Sequence, residues 1–176
     1  MGLQHDLGRP ASHAGVARRT LSGDMRVPRT FLFVDLSGFT NYTAAFGDDA
    51  AGRLLGAFRA IVREVASERG VRIAKWLGDG LMAVAVDQED GIIFALELEA
   101  RAAEVCSPLA LRVGIATGYA LLFEGDDYIG SAVNMASRLC DAAGPFDVLL
   151  PTMQIERLPE GVVANEHAAL ELRGFP

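Results

Sequence analysis

The chain has 176 residues, 51% of them apolar and 22% charged, with a formal net charge of −7. A single domain of this length buries roughly 70% of its extended-chain surface, which excludes a disordered chain, a collagen-like repeat and a disulfide-framed miniprotein. The acidic balance excludes a general nucleic-acid binder, which needs a basic face to track phosphates. A small phosphorylated ligand held by local charge stays open.

Residues 1–28 show no apolar periodicity and no run fit for a signal peptide or membrane span. They read as a flexible leader, with the ordered domain expected over 29–176. Phe31-Leu32-Phe33-Val34 is a continuous apolar run, the signature of a buried strand. It ends at Asp35, and Leu36-Ser37-Gly38-Phe39-Thr40 is a small-residue turn that opens a helix. A second helix is expected over about 48–68, with Leu54, Phe58, Ile61 and Val65 on its apolar face and Arg53, Arg59 and Arg63 off it; Gly70 is its stop.

Val71 to Leu77 and Leu81 to Asp87 read as two strands around a Gly78-Asp79-Gly80 hairpin turn. A helix over about 88–105 follows, with Ile92, Leu96, Ala100 and Ala103 on one face. Leu111 to Gly118 and Ala120 to Phe123 read as a further hairpin, and 131–143 as a helix closed by Gly144-Pro145. The tail is expected to alternate short strands (148–150, 161–165, 169–173) with one helical turn near 153–158. This order predicts an α+β ferredoxin-like sandwich, with helices on one face of a mainly antiparallel sheet.

Under this topology Asp35 ends the first strand and Asp79 sits in a turn beside it. Paired carboxylates at adjacent strand ends suit hard divalent cations, which take oxygen ligands and often substrate phosphates. Free backbone N–H groups after Asp35 suit a polyphosphate. Each aspartate alone also fits an ordinary role, Asp35 before an N-cap at Ser37 and Asp79 as a turn residue. Asn134 and Arg138 share one helix face, continued by Asp141, which a solvated polar surface explains equally well. Of the 16 basic residues only Lys75 is a lysine. Placed with Val71, Ile73 and Leu77 on an apolar strand face, it needs an acceptor or serves as an edge-strand gatekeeper. Asp127 precedes the helix that carries Asn134 and reads as an ordinary helix-entry acid. Cys106 and Cys140 have no CxxC spacing, which suits a reducing, cytoplasmic setting and gives no zinc site.

Together Phe33-Val-Asp35-Leu-Ser-Gly-Phe-Thr40, Lys75-Trp-Leu-Gly-Asp79-Gly-Leu-Met-Ala83, Arg112-Val-Gly-Ile-Ala-Thr-Gly118 and Asp127-Tyr-Ile-Gly-Ser-Ala-Val-Asn134-Met-Ala-Ser-Arg138 resemble the successive motifs of class III nucleotidyl cyclases, over about residues 29–176. The resemblance implies an adenylate cyclase that makes cyclic AMP from ATP with two Mg²⁺ or Mn²⁺ ions per site. It implies metal binding by Asp35 and Asp79, and triphosphate binding by the segment containing Leu36, Gly38, Phe39 and Thr40. Lys75 and Asp127 match the pair that reads adenine. Asn134 matches the ribose-positioning asparagine, and Arg138 the arginine that stabilises the transition state. No histidine base is implied, and His5, His13 and His167 lie outside the motifs. The family's site forms between two catalytic domains, so a head-to-tail homodimer with two composite sites is expected.

Three departures accompany the match. Asp127 follows Gly118 by only nine positions, which shortens the family's dimerisation hairpin. Tyr119 stands where some relatives carry a phosphate-binding arginine. After Leu172-Arg-Gly-Phe-Pro176, relatives usually add an edge strand, and Arg173 is a further phosphate contact to consider. The rival from another class is a cyclase-like domain that binds nucleotide or a partner without turnover. A palm-type nucleotidyltransferase or a diguanylate cyclase shares the two-metal logic but explains neither Lys75 nor Asp127, and there is no GGDEF-like run.

Overall fold

The computed structural model describes residues 26–123, 127–155, 157–167, 169–172 and 174–175. Strand β1, Arg26–Ser37, lies at the centre of the sheet. It begins three residues before the expected domain start at Arg29. Its core segment is apolar at consecutive positions because both faces are covered: Leu32 and Val34 point into one cluster and Phe31 and Phe33 into another.

Helices α1 (Phe39–Phe46) and α2 (Asp48–Arg69) follow. Leu54, Phe58, Val62 and Val65 form the buried stripe of α2, with Ile61 only partly covered. Gly70, at φ 64°, closes the helix in the left-handed conformation that a residue without Cβ adopts freely. Strands β2 (Arg72–Leu77) and β3 (Gly80–Ala85) form the expected hairpin. Helix α3 spans Gln88–Val105, and the Asp87 side chain caps it by accepting from the Asp90 N–H. Its buried stripe is Ile92, Phe94, Ala95, Leu98 and Ala102. The expected face of Ile92, Leu96, Ala100 and Ala103 is therefore rotated, since Ala100 and Ala103 are exposed.

The expected hairpin over 111–123 is one strand, β4, Ala110–Phe123. Gly118-Tyr119 does not turn because β1 pairs along it from Arg26 opposite Leu121 to Ser37 opposite Ala110. The partner strand is β5, Asp127–Ile129, so Asp127 belongs to a strand rather than to a helix-entry loop. Helix α4, Ser131–Ala142, follows, then β6, Val148–Leu149, which pairs parallel with β4. The sheet order is β2-β3-β1-β4-β5, with β6 also on β4.

Helices α2 and α3 cover one face of this sheet and α4 the other, where Ala132 and Ala136 meet Phe31, Met82, Val84 and Ala116. The expectation of helices on a single face is corrected by that placement. A tail of short strands is corrected too. After β6 the described residues form only a 3-10 turn, Thr152–Gln154, and no strand occupies those of 161–165 and 169–172. Nearly all of those residues are exposed, so no alternation of buried side chains is there to dock a strand. Side-chain bonds hold the 3-10 turn instead: the Thr117 N–H donates to Gln154 Oε1, and Gln88 Nε2 donates to the Gln154 carbonyl.

Helix α4 lies directly on Gly114 of β4, where a Cβ would run into the Ala136 carbonyl and the Cys140 amide. Gly114→Ala must lift the helix from the sheet. The expected result is a loss of about 1–3 kcal/mol in urea unfolding, the usual cost of overpacking. An unchanged midpoint would contradict the contact.

Candidate active site

Antiparallel pairing places Asp35 of β1 opposite Gly80 of β3 and opposite Arg112 of β4. The turn between β2 and β3 is Gly78-Asp79. Gly78, with φ 70°, takes the first position of the two-residue loop, where a Cβ would be strained. Gly80 lets the turn approach β1: an added Cβ would lie 2.5 Å from the Val34 carbonyl oxygen and 3.1 Å from Asp35 Oδ1. The two carboxylates feel each other. Burial, then the negative charge of Asp35, raises the Asp79 carboxyl above the ordinary 3.8, opposed by a backbone hydrogen bond and by Arg112.

Arg112 donates through Nε and Nη2 to Asp35 Oδ2, at 2.8 and 2.6 Å. These bonds raise the guanidinium's own pKa further. Two neighbouring carboxylates fit a hard cation such as Mg²⁺ or Mn²⁺, which keeps other positions for water or phosphate oxygens. No cluster of three or more His, Cys, Asp or Glu side chains suited to a metal occurs among the described residues. Cys106 and Cys140 are buried free thiols, pushed up by burial to about 11 and about 12 and so kept neutral.

The turn carrying Asp79 is held from α2. Arg59 Nη2 donates to the Gly78 carbonyl at 3.1 Å, and the guanidiniums of Arg59 and Arg63 lie 4.9 and 5.3 Å from the centre of the Trp76 ring. Apolar spacing places these arginines off the buried face of α2 but does not name their partner. The signal was present: two arginines one helical turn apart, and a tryptophan just before the Gly-Asp-Gly turn.

A β-bulge between Ile73 and Lys75 shifts the register of β2 against β3. Ile73 opposes Ala83, whose side chain joins the α2–α3 core, whereas Lys75 opposes Met82, which faces α4. Lys75 is therefore not on the face of Val71 and Ile73, and the bulge is the reason. On its actual face it forms an ion pair with Asp127 of β5, the two side chains 47% and 48% exposed.

Leu36 is buried in the core near the end of β1, paired with Leu111 of β4, so its side chain is closed to a ligand. Gly38, at φ 86°, is the N-cap of α1 and no side chain caps that helix, which leaves the first-turn amides beginning at Phe39 and Thr40 without a side-chain partner. Asn134 and Arg138 lie on the exposed side of α4, opposite the buried Ala136, Leu139 and Cys140. With Ser137, Gly174 and Phe175 they line a cavity of about 290 Å³. Among the described residues neither Asn134 nor Arg138 bonds to Asp35 or Asp79; Arg138 reaches only Asp141, at 3.5 Å. Arg173 lies outside the described residues.

The raised carboxyl of Asp79 gives a pH prediction. A carboxyl with a raised folded-state value loses stability as pH rises through that value. In cation-free protein, Asp79→Asn is expected to unfold at higher urea than the parent at pH 7, with the gap closing as pH falls toward 3.8. A variant less stable than the parent at pH 7 would contradict the charge conflict.

No protein-family model matches the chain. An adenylate cyclase of Streptomyces coelicolor is 36% identical over 126 residues, 72% of this chain and 33% of that protein. A pH-sensitive adenylate cyclase of Mycobacterium tuberculosis is 31% identical over 167 residues, 94% of this chain and 41% of that protein. The chain thus spans well under half the length of these relatives. Among solved structures, the guanylyl cyclase Cya2 superposes with TM-score 0.75 at 20% identity, covering 87% of this chain and 89% of that one. The adenylyl cyclase CyaB of P. aeruginosa superposes with TM-score 0.64 at 27% identity, covering 73% and 79%. Sequence relatives and fold agree with the motif order, and the chain belongs to the class III adenylate/guanylate cyclase catalytic-domain family.

Proposed function

We propose that the chain is the catalytic domain of an adenylate cyclase, converting ATP to 3′,5′-cyclic AMP and pyrophosphate at sites shared between two copies. The observation that carries the substrate is the pairing of Lys75 with Asp127 across two strands far apart in sequence. An ammonium donates to adenine N1 while a carboxylate accepts from the 6-amino group, and guanine presents the reverse pattern. The names of the curated bacterial relatives support the same choice.

Asp35 and Asp79 would hold two divalent cations, Mg²⁺ or Mn²⁺. Bound there, the cations supply a lowered pKa at the ribose 3′-hydroxyl and neutralise phosphate charge. The uncapped first turn of α1, with Gly38, Phe39 and Thr40, offers backbone N–H groups to the triphosphate. Asn134 orients the ribose, so that its 3′-oxygen attacks the α-phosphorus in line as the bond to the pyrophosphate oxygen breaks. Arg138 faces the charge growing on the α-phosphoryl oxygens, and its loss is expected to cost about 10²–10³-fold in rate. Among the described residues neither Asn134 nor Arg138 bonds to the aspartates of its own chain, which is compatible with completion of each site by a second copy, the arrangement that the family resemblance implies. A cytoplasmic setting follows from the need for ATP. No helix among the described residues is long and apolar enough to cross a membrane.

Purified protein is expected to form cyclic AMP from ATP with Mn²⁺ or Mg²⁺, and Asp35→Ala to form none. A folded, dimeric parent that stays silent would replace this reading with a non-catalytic regulatory domain. Mixing Asp35→Ala with Arg138→Ala protein should restore turnover through one intact composite site. No rescue in demonstrated mixed dimers would refute the shared site. Lys75→Glu combined with Asp127→Cys should weaken ATP use and shift preference toward GTP; unchanged selectivity would refute base reading by this pair.

A further inference from the structure

We propose that Arg112 is the resident counter-ion of Asp35 and competes with the divalent cation for it, so that this guanidinium sets the cation affinity of the site. The inference rests on the reading of Asp35 and Asp79 as metal ligands and adds a residue to which that reading gives no role.

Strand register fixes the juxtaposition, since Asp35 and Arg112 are direct cross-strand partners. Both guanidinium bonds fall on the same oxygen, Oδ2, at 2.8 and 2.6 Å. The side chains are only 30% and 25% exposed, so water and salt screen the pair less than a surface bridge. Oδ1 points the other way, toward Gly80 and the Asp79 turn. A cation entering between the two aspartates meets one free oxygen of Asp35 and one already carrying two charge-assisted hydrogen bonds. To use both, it must displace the guanidinium.

The displaced group has a resting place. Arg112 Nη1 already lies 3.4 Å from the Asp141 carbonyl in the last turn of α4, where the helix end favours a cation. Arg112 therefore serves two states: it neutralises Asp35 in the cation-free chain and withdraws toward α4 when the cation arrives. It is a positioning residue and touches no substrate atom in this scheme.

The test is Mn²⁺ alone, titrated into the full chain without nucleotide and followed by the electron paramagnetic resonance signal of free Mn²⁺. Arg112→Gln is expected to bind Mn²⁺ about tenfold more tightly than the parent, the equivalent of one lost charge-assisted bond. Its cation-free melting temperature should fall, and Mn²⁺ should raise it by more than in the parent. Equal or weaker Mn²⁺ binding by Arg112→Gln would show that the arginine merely orients Asp35, and would overturn the competition. If Arg112→Gln is too unstable to titrate, Arg112→Met keeps the apolar stem and removes the charge. Tighter binding than the parent then reads the same competition, and equal binding overturns it. Asp35→Ala separates the two layers: Mn²⁺ binding that survives it undiminished removes the metal assignment and the role of Arg112 with it.

Discussion

The register of β1 is the constraint on which the site depends. Asp35 has Gly80 as its cross-strand partner on one side and Arg112 on the other. Because side chains alternate along a strand, a slip of one residue would turn Asp35 into the core and Val34 out of it. The register is pinned by burial, since Leu32, Val34 and Leu36 enter the α2–α3 cluster while Phe31 enters the α4 cluster. Fully burying each such side chain is worth about 1.5–3 kcal/mol. The position of one carboxylate is thus enforced by the packing of its neighbours on both sheet faces.

Regular pairing alone would misplace the other charged groups. Lys75 meets Asp127 only because the bulge after Ile73 moves it to the α4 face. Asp79 reaches the end of β1 only because Gly80 has no side chain and Gly78 accepts a positive φ. Arg59, stacked near Trp76 and bonded to the Gly78 carbonyl, then restrains that turn from outside the sheet. Each irregularity lies within a few residues of a proposed ligand, as expected where a fold gives up ladder regularity to aim a side chain.

The helices and the first hairpin were legible in the sequence because apolar spacing and glycine punctuation are local signals. Apolar spacing and flanking residues mark the extent of α3, yet they do not mark its buried face. Alanine at 100 and 103 fits either side, and only contact with α2 and the sheet decides. The single strand β4 was hidden by Gly118-Tyr119, a plausible turn that pairing with β1 keeps straight. The side occupied by α4 was equally hidden, because a consecutive apolar run such as Phe31–Val34 reports burial on both faces without saying what covers them. Among the site residues, the two aspartates and Lys75 were visible as residue types in a spacing. Arg112 acquired meaning only from the strand opposite it, which no linear pattern shows.

A common electrostatic logic joins these parts. The chain carries −7 overall and yet must accept a polyanionic nucleotide on the proposed reading. Its site cations are not free in waiting: Lys75 is held by Asp127, Arg112 by Asp35, and Arg138 lies within reach of Asp141. A lone cation beside the site would attract any passing phosphate, and a lone carboxylate would repel the intended one. Internal pairing removes both hazards at the cost of bonds that the ligand must replace. A purine edge can replace the Lys75–Asp127 bond group for group, and a divalent cation can replace the guanidinium on Asp35. Inorganic phosphate alone can do neither. On the proposed reading, discrimination for a metal–nucleotide complex over simple phosphates would arise from what the ligand must break, before any contact to the transition state is made.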